Sequence, residues 1–178
     1  MRLERLVETL LNFGRLEARA QEFKVRQLDA GHLAAQAAAA VERELGNTRT
    51  IEYAGEKDCW IRGDPEALIV ALRNLLDNAV KYSPPEAGVR VEWKRTGTRV
   101  AIQVQDQGLG ILAAERNSIF DKFVRGSAAA ALNVRGTGVG LAMVRQIVAA
   151  HGGEIRLESE PGKGSRFTIL LPAAVAQS

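Results

Sequence analysis

Apolar residues recur at three- and four-residue intervals from Leu3 through Leu6, Leu10, Phe13, Leu16 and Ala20 to Phe23, with Arg, Glu and Gln between them. That spacing predicts an amphipathic helix. Its apolar stripe is narrow and no second helix adjoins it in sequence, which fits a partner on another chain or outside this segment; a helix packed on its own domain gives the same pattern. An alanine-rich helical stretch follows at about residues 29–45, stopped by Gly46 and Asn47. Two short β-rich runs, Thr50, Ile51 and Tyr53, then Cys59, Trp60 and Ile61, flank a turn at residues 55–58 and predict a hairpin. Asp64 then Pro65 is a strong helix start, an acid that caps followed by a residue tolerated in the first turn. The helix it opens runs to about Tyr82 and ends before Pro84 and Pro85.

Alternation takes over next. Val89, Val91 and Trp93, then Val100, Ile102 and Val104, predict two strands with one dry face each. A short helix is expected at about residues 114–123, a loop of small residues at 126–135, and a helix at about 139–150. Ile155 and Leu157, then Phe167, Ile169 and Leu171, close the chain as two more alternating strands around a turn at residues 161–164. Adjacent strands with helices on one side imply an α+β fold, a two-layer sandwich. No internal repeat is visible.

Composition narrows the classes further. With 178 residues, 46% hydrophobic and 25% charged, the chain can bury a core and is neither disordered nor collagen-like. A single cysteine, Cys59, excludes an internal disulfide and a thiolate-rich zinc site, and His32 and His151 are the only histidines. No apolar run reaches the roughly 18 residues of a membrane span, and Arg2, Glu4 and Arg5 interrupt the start. The expectation is a cytoplasmic protein without membrane contact by this segment. The net charge of +3 comes from interleaved acids and bases, which gives no footprint for nucleic acid.

Three groups of polar residues stand out. On the helix opened by Pro65, Leu68, Leu72, Leu75, Leu76 and Ala79 share one face, while Asn74, Asn78 and Lys81 stack on the other. A solvated face is one reading; the other is a neutral oxygen for a hard cation beside an ammonium for a phosphate. Asp106 has the parity of Val100, Ile102 and Val104, so its carboxylate should point to the dry side and need a donor, such as an adenine amino group. Gly108 and Gly110 follow it, and a turn with a capping aspartate is the alternative. Finally, Gly136, Thr137, Gly138, Val139 and Gly140 open onto a helix, where free backbone N–H groups attract phosphate. No Lys-Ser or Lys-Thr pair follows, so this is not a Walker A loop, and a flexible hinge is compatible with the same residues.

Taken in order, these boxes resemble the catalytic ATP-binding domain of bacterial sensor histidine kinases. The run from Asn74 through Asn78 and Lys81 to Tyr82 resembles the family's N box, and Asp106 through Gly108 and Gly110 to Ile111 its G1 box. Residues from Ile119, Phe120 and Phe123 to Arg125 resemble the F box, and Gly136 through Gly140 to Leu141 the G2 box; the match covers about residues 51–172. The resemblance implies the Bergerat fold, a mixed sheet backed by three helices with ATP under a mobile lid. It implies Asn78 as the Mg2+ ligand, Asn74 and Lys81 near the phosphates, Tyr82 near the nucleotide and Asp106 on the adenine amino group. Gly108, Gly110 and Ile111 would flank the base. Phe120 and Phe123 would anchor the lid, Arg125 would reach the γ-phosphate, and Gly136, Thr137, Gly138, Val139, Gly140 and Leu141 would offer backbone amides. Asn74, Lys81 and Arg125 are the candidate catalytic residues.

Gyrase-like relatives carry a glutamate in place of Asn74. An amide is a poor general base, so this site should hold ATP for transfer rather than hydrolyse it rapidly. Leu112 stands where the family usually has proline, and Gln107 where a smaller polar residue is common. The family's phosphoacceptor histidine motif is absent, and His32 and His151 lie outside any such motif. The expected organisation is residues 1–28 as the second helix of a truncated dimerisation domain, 29–48 as a helical connector, 49–173 as the catalytic domain and 174–178 as a tail. The implied function is transfer of the ATP γ-phosphoryl to a histidine, for relay to a response-regulator receiver domain, in a homodimer joined through the N-terminal helix. The alternatives are an anti-sigma-type serine kinase or a nucleotide-gated binding module without phosphotransfer.

Overall fold

The computed structural model describes residues 23–46, 48–131 and 136–175. The amphipathic helix expected at the start, except Phe23, the stop residue Asn47, loop residues 132–135 and the last three residues of the tail lie outside the described residues.

Two helices begin where the sequence places an aspartate cap. Asp29 accepts the His32 N–H at 2.8 Å and opens α1 (Ala30–Glu44), and Asp64 accepts the Ala67 N–H at 3.1 Å and opens α2 (Pro65–Tyr82). Ala30, Ala34, Ala37 and Ala38 are buried with Leu33 and Val41, so α1 presents a smooth face to α2. The dry side of α2 is the leucine face read from the sequence, and Leu68, Leu72, Leu75 and Leu76 are all buried. A further long helix, Gly140–Ala150, also packs on α2.

These helices cover one side of a five-stranded sheet. Its strands are β2 (Ile51–Gly55), β4 (Val89–Thr96), β5 (Arg99–Gln105), β6 (Glu154–Glu160) and β7 (Gly164–Pro172), in the spatial order β2-β4-β5-β7-β6. Only β2 and β4 run parallel, so the sheet is mixed. Across the centre, Trp93 lies opposite Ile102 and Ile102 opposite Ile169, while Val104 lies opposite Phe167. The alternation seen in the sequence puts these residues toward the helices. The outer face carries ion pairs such as Arg90 with Glu52 at 3.0 Å and Arg166 with Glu158 at 3.2 Å. Such exposed pairs contribute only ~0–1 kcal/mol each and mainly keep that face wet.

The expected hairpin does not form. Ile51–Gly55 joins the large sheet beside β4, whereas β3 (Trp60–Gly63) pairs antiparallel with β1 (Arg26–Asp29), a strand absent from the sequence reading. Periodicity marks which segments are extended; which ones pair depends on residues far away, here Val89 for Ile51 and Leu28 for Ile61. α1 packs within the helical layer, against α2 and the sheet. The helix expected at residues 114–123 is two 3-10 turns, Ala113–Glu115 and Ser118–Phe120. Only Ile119 and Phe120 of this stretch are buried, so no apolar stripe at helical spacing holds a longer helix to the core. Within the small-residue loop, Ser127–Ala131 forms a short helix, α3, which makes Gly140–Ala150 α4.

Candidate functional site

The wet face of α2 forms one wall. Asn74, Asn78, Lys81 and Tyr82 are all half-buried there. Asn74 donates through Nδ2 to the Val70 carbonyl at 2.9 Å. A Cβ added to Gly140 would lie 2.8 Å from Asn74 Oδ1, so the first residue of α4 sits directly against this carboxamide. The Asn78 side chain has no hydrogen bond to any described residue. Lys81 Nζ donates to Tyr82 Oη at 3.3 Å and lies 4.8 Å from the ring centroid. Gly136 lies over this pair, because a Cβ there would come 2.7 Å from Nζ. Burial pushes the Tyr82 phenol above its ordinary pKa, partly offset by the Arg125 charge.

The second wall is the end of β5. Asp106 is 6% exposed, and its Oδ1 accepts the Gly108 N–H at 2.8 Å and the Ser165 N–H at 3.2 Å. Oδ2 takes no hydrogen bond from the described residues. Desolvation raises the carboxyl above the usual range, and the two backbone bonds only partly counter it. Gly108 touches α2, since a Cβ there would lie 2.4 Å from the Tyr82 carbonyl oxygen, which also accepts the Leu109 N–H at 3.2 Å. Gly110 has φ +68°, and a Cβ would fall 1.9 Å from the Glu160 carbonyl oxygen, so no other residue fits. Ile111 N–H then donates to Ser159 Oγ at 2.8 Å.

The third wall is the start of α4. Val139 precedes it and is buried, and no side chain among the described residues caps the helix, so within them the first-turn N–H groups stay open to an outside acceptor. Half-buried Thr137 and Leu141 flank it. Gly138, at φ +71°, accepts the Phe123 N–H at 2.8 Å, which ties the segment after the 3-10 turns to the α4 entry. Phe120 is buried with its ring edge-on to Phe167, centroids 6.3 Å apart. Phe123 differs: it has φ +67° and is 61% exposed, so its hold is the backbone bond rather than packing of its ring. Arg125 is exposed and donates to the Ala129 carbonyl at 3.3 Å.

The α2 face, the Asp106 loop and the α4 entry are therefore drawn together, while Phe123 and Arg125 stand at the rim. Sequence reasoning did not assign Ser159 and Ser165, which fix Ile111 and Asp106; their only local signal was the turn at residues 161–164. Among the described residues no group of three His, Cys, Asp or Glu could hold a metal, so a cation here needs oxygens from the ligand itself, with Asn78 as a fitting neutral donor. A separate cavity of about 340 Å³, lined by Glu52, Gly88, Arg90, Gln105 and Gln107, opens on the outer sheet face. Among the described residues no helix is long and apolar enough to cross a membrane.

Residues 63–175 match the family described as histidine kinase-, DNA gyrase B- and HSP90-like ATPase. The chain is 41% identical over 115 residues to the sensor-like histidine kinase SenX3 of Mycobacterium tuberculosis, covering 65% of this chain and 28% of that protein. It is 34% identical over 172 residues to the circadian input-output histidine kinase CikA of Synechococcus elongatus, covering 94% of this chain and 23% of that protein. Among solved structures, full-length ShkA in complex with AMPPNP aligns at TM-score 0.83 and 31% identity, over 99% of this chain and 37% of that one. The mycobacterial sensor histidine kinase MprB aligns at TM-score 0.70 and 30% identity, over 83% of this chain and 97% of that one. The chain spans about a quarter of the length of the curated relatives it matches. It belongs to the histidine kinase-, DNA gyrase B- and HSP90-like ATPase family, and within it is an ATPase domain with the Bergerat fold, homologous to those of two-component sensor histidine kinases.

Proposed function

We propose that this domain binds ATP with Mg2+ between α2, the Asp106 loop and the α4 entry, and presents its γ-phosphoryl to a histidine imidazole on a separate helical segment. The phosphoryl group is then relayed to an aspartate of a response-regulator receiver domain, in a homodimer joined through the N-terminal helix. The observation that carries the reading is Asp106: a buried carboxylate with one oxygen saturated by backbone donors and the other without a partner among the described residues suits the exocyclic amino group of adenine.

Each remaining role follows from chemistry at a named atom. The α4 entry offers open N–H groups and the positive end of a helix dipole to phosphate oxygens. Lys81 places an ammonium beside them, held against Tyr82. Asn78 supplies a neutral oxygen to the cation. When bound, Mg2+ neutralises phosphate charge and orients the transferring group. Asn74 has its amide nitrogen occupied by Val70 and cannot act as a general base, so water is not activated and the triphosphate persists for transfer. Arg125, at the rim, approaches the γ-phosphate as the lid closes. The relatives are histidine kinases, which disfavours the serine-kinase alternative.

The test is labelling with γ-phosphate-labelled ATP and Mg2+. The 178-residue chain alone should incorporate no label, because the phosphoacceptor histidine motif is absent from its sequence. Fusion to an upstream helix bearing that motif should produce acid-labile phosphohistidine. ATP binding without label in the fused protein would favour a binding module instead.

A further inference from the structure

Arg49 belongs to none of the sequence boxes and sits in the connection between α1 and β2. Its guanidinium reaches across to the far end of α2. Nη1 donates to the Val80 carbonyl at 2.8 Å, and Nη2 donates to the carbonyls of Pro84 and Ala87, both at 2.7 Å. Val80 lies in the last turn of α2, where carbonyls lack an intrahelical N–H partner; the chain leaves the helix at Ser83 in extended geometry, and Pro84 brings no N–H. A guanidinium there satisfies these oxygens and opposes the negative end of the helix dipole. The three acceptors span the helix end and the turn after it, which the Ala87 N–H closes onto Pro84 at 3.0 Å.

That turn of α2 carries Lys81 and Tyr82. The Tyr82 carbonyl holds Leu109, and Gly108 fits beneath it with no room for a Cβ. A shift of the α2 end by a few tenths of an ångström would therefore move the Asp106 loop and the Lys81 ammonium together. We infer that Arg49 is a positioning residue for the nucleotide site: by gripping Val80, Pro84 and Ala87 it fixes where the end of α2 meets the Asp106 loop. The inference rests on the nucleotide-binding reading above. Lysine cannot replace it, since an ammonium lacks the planar fork that spans separated acceptors.

The experiment uses the whole chain with Arg49→Ala and Arg49→Lys, read by ATP titration calorimetry with Mg2+ and by hydrogen exchange of residues 106–111, well below the melting temperature. Arg49→Ala should raise the ATP Kd about tenfold and speed exchange at Leu109 several-fold, and Arg49→Lys should recover less than half of the loss. If Arg49→Ala does not fold, Arg49→Lys is read in the same way, with a Kd raised at least about threefold. Variants that melt earlier yet keep the wild-type Kd and Leu109 exchange would make Arg49 merely structural and overturn the inference. Wild-type chain that binds no ATP would instead remove the nucleotide reading, and the inference with it.

Discussion

At the scale of the residue, Asp106 combines two requirements that conflict. It serves the site ionised, as the acceptor of a hydrogen bond from the adenine amino group, yet burial penalises the charge and pushes its carboxyl up. Between the unfolded and folded pKa values the native carboxyl keeps a proton that the unfolded one has lost. Its contribution to stability therefore falls as pH rises through the folded value. Binding has the opposite sense: ATP affinity should drop as pH falls through that raised value, at milder acidity than an exposed aspartate would require. Asp106→Asn retains an oxygen for the Gly108 and Ser165 N–H groups but turns a donor toward the adenine amino group. We expect the variant to fold, to bind ATP about tenfold to a hundredfold more weakly, the ~1–3 kcal/mol of a mispaired buried group, and to lose the pH dependence. Calorimetry in a series of buffers from neutral pH downward checks both arms, and wild-type affinity in the variant would refute the adenine assignment. The parity of β5 made the inward direction of Asp106 legible in the sequence; Ser165, 59 residues further on, was not, because no local pattern records a partner that distant.

At the scale of the element, α2 separates stability from binding by face. Leu75 is fully buried, so Leu75→Ala should cost about 2–5 kcal/mol by leaving a cavity, while the folded fraction keeps its ATP affinity. The Asn78 side chain has no hydrogen-bond partner among the described residues, so Asn78→Ala should change stability by no more than about 0.5 kcal/mol and abolish the gain in ATP affinity from Mg2+. Thermal melts with calorimetry in Mg2+ and in chelator distinguish them, and an Asn78→Ala chain that melts like Leu75→Ala would make Asn78 structural. This helix was readable in advance because its cap, periodicity and proline stop are all local. The pairing of Ile51–Gly55 was not, since a strand's period is the same whether it pairs with its sequence neighbour or with Val89. Ser118–Phe120 was misread as part of a longer helix because that stretch buries only Ile119 and Phe120, too little apolar surface to hold several helical turns against the core.

At the scale of the whole molecule, one junction holds the ends of several elements. His151 Nε2 accepts the Asp64 N–H at 3.0 Å, and its Nδ1–H donates to the Ile147 carbonyl at 2.7 Å, so one imidazole joins the start of α2 to the end of α4. The Phe23 ring lies 4.8 Å from it, and the Lys24 N–H donates to Asp64 Oδ2 at 2.9 Å, which brings the entering chain to the same point. His151→Ala should cost about 1–3 kcal/mol by orphaning a half-buried N–H, measurable as a lower denaturant midpoint; an unchanged midpoint would contradict the bridge. The sequence by itself determined the long helices and the alternating strands, their dry faces, the inward carboxylate and the order of the family's boxes, because each is written in the spacing of near neighbours. Tertiary structure alone decided the strand order, the backbone donors on Asp106, the grip of Arg49 on α2 and the meeting of helix ends at His151. Those depend on contacts such as Arg49 with Val80, Asp106 with Ser165 and Asp64 with His151, 31, 59 and 87 positions apart, which only the packing of the finished sandwich brings within hydrogen-bond reach.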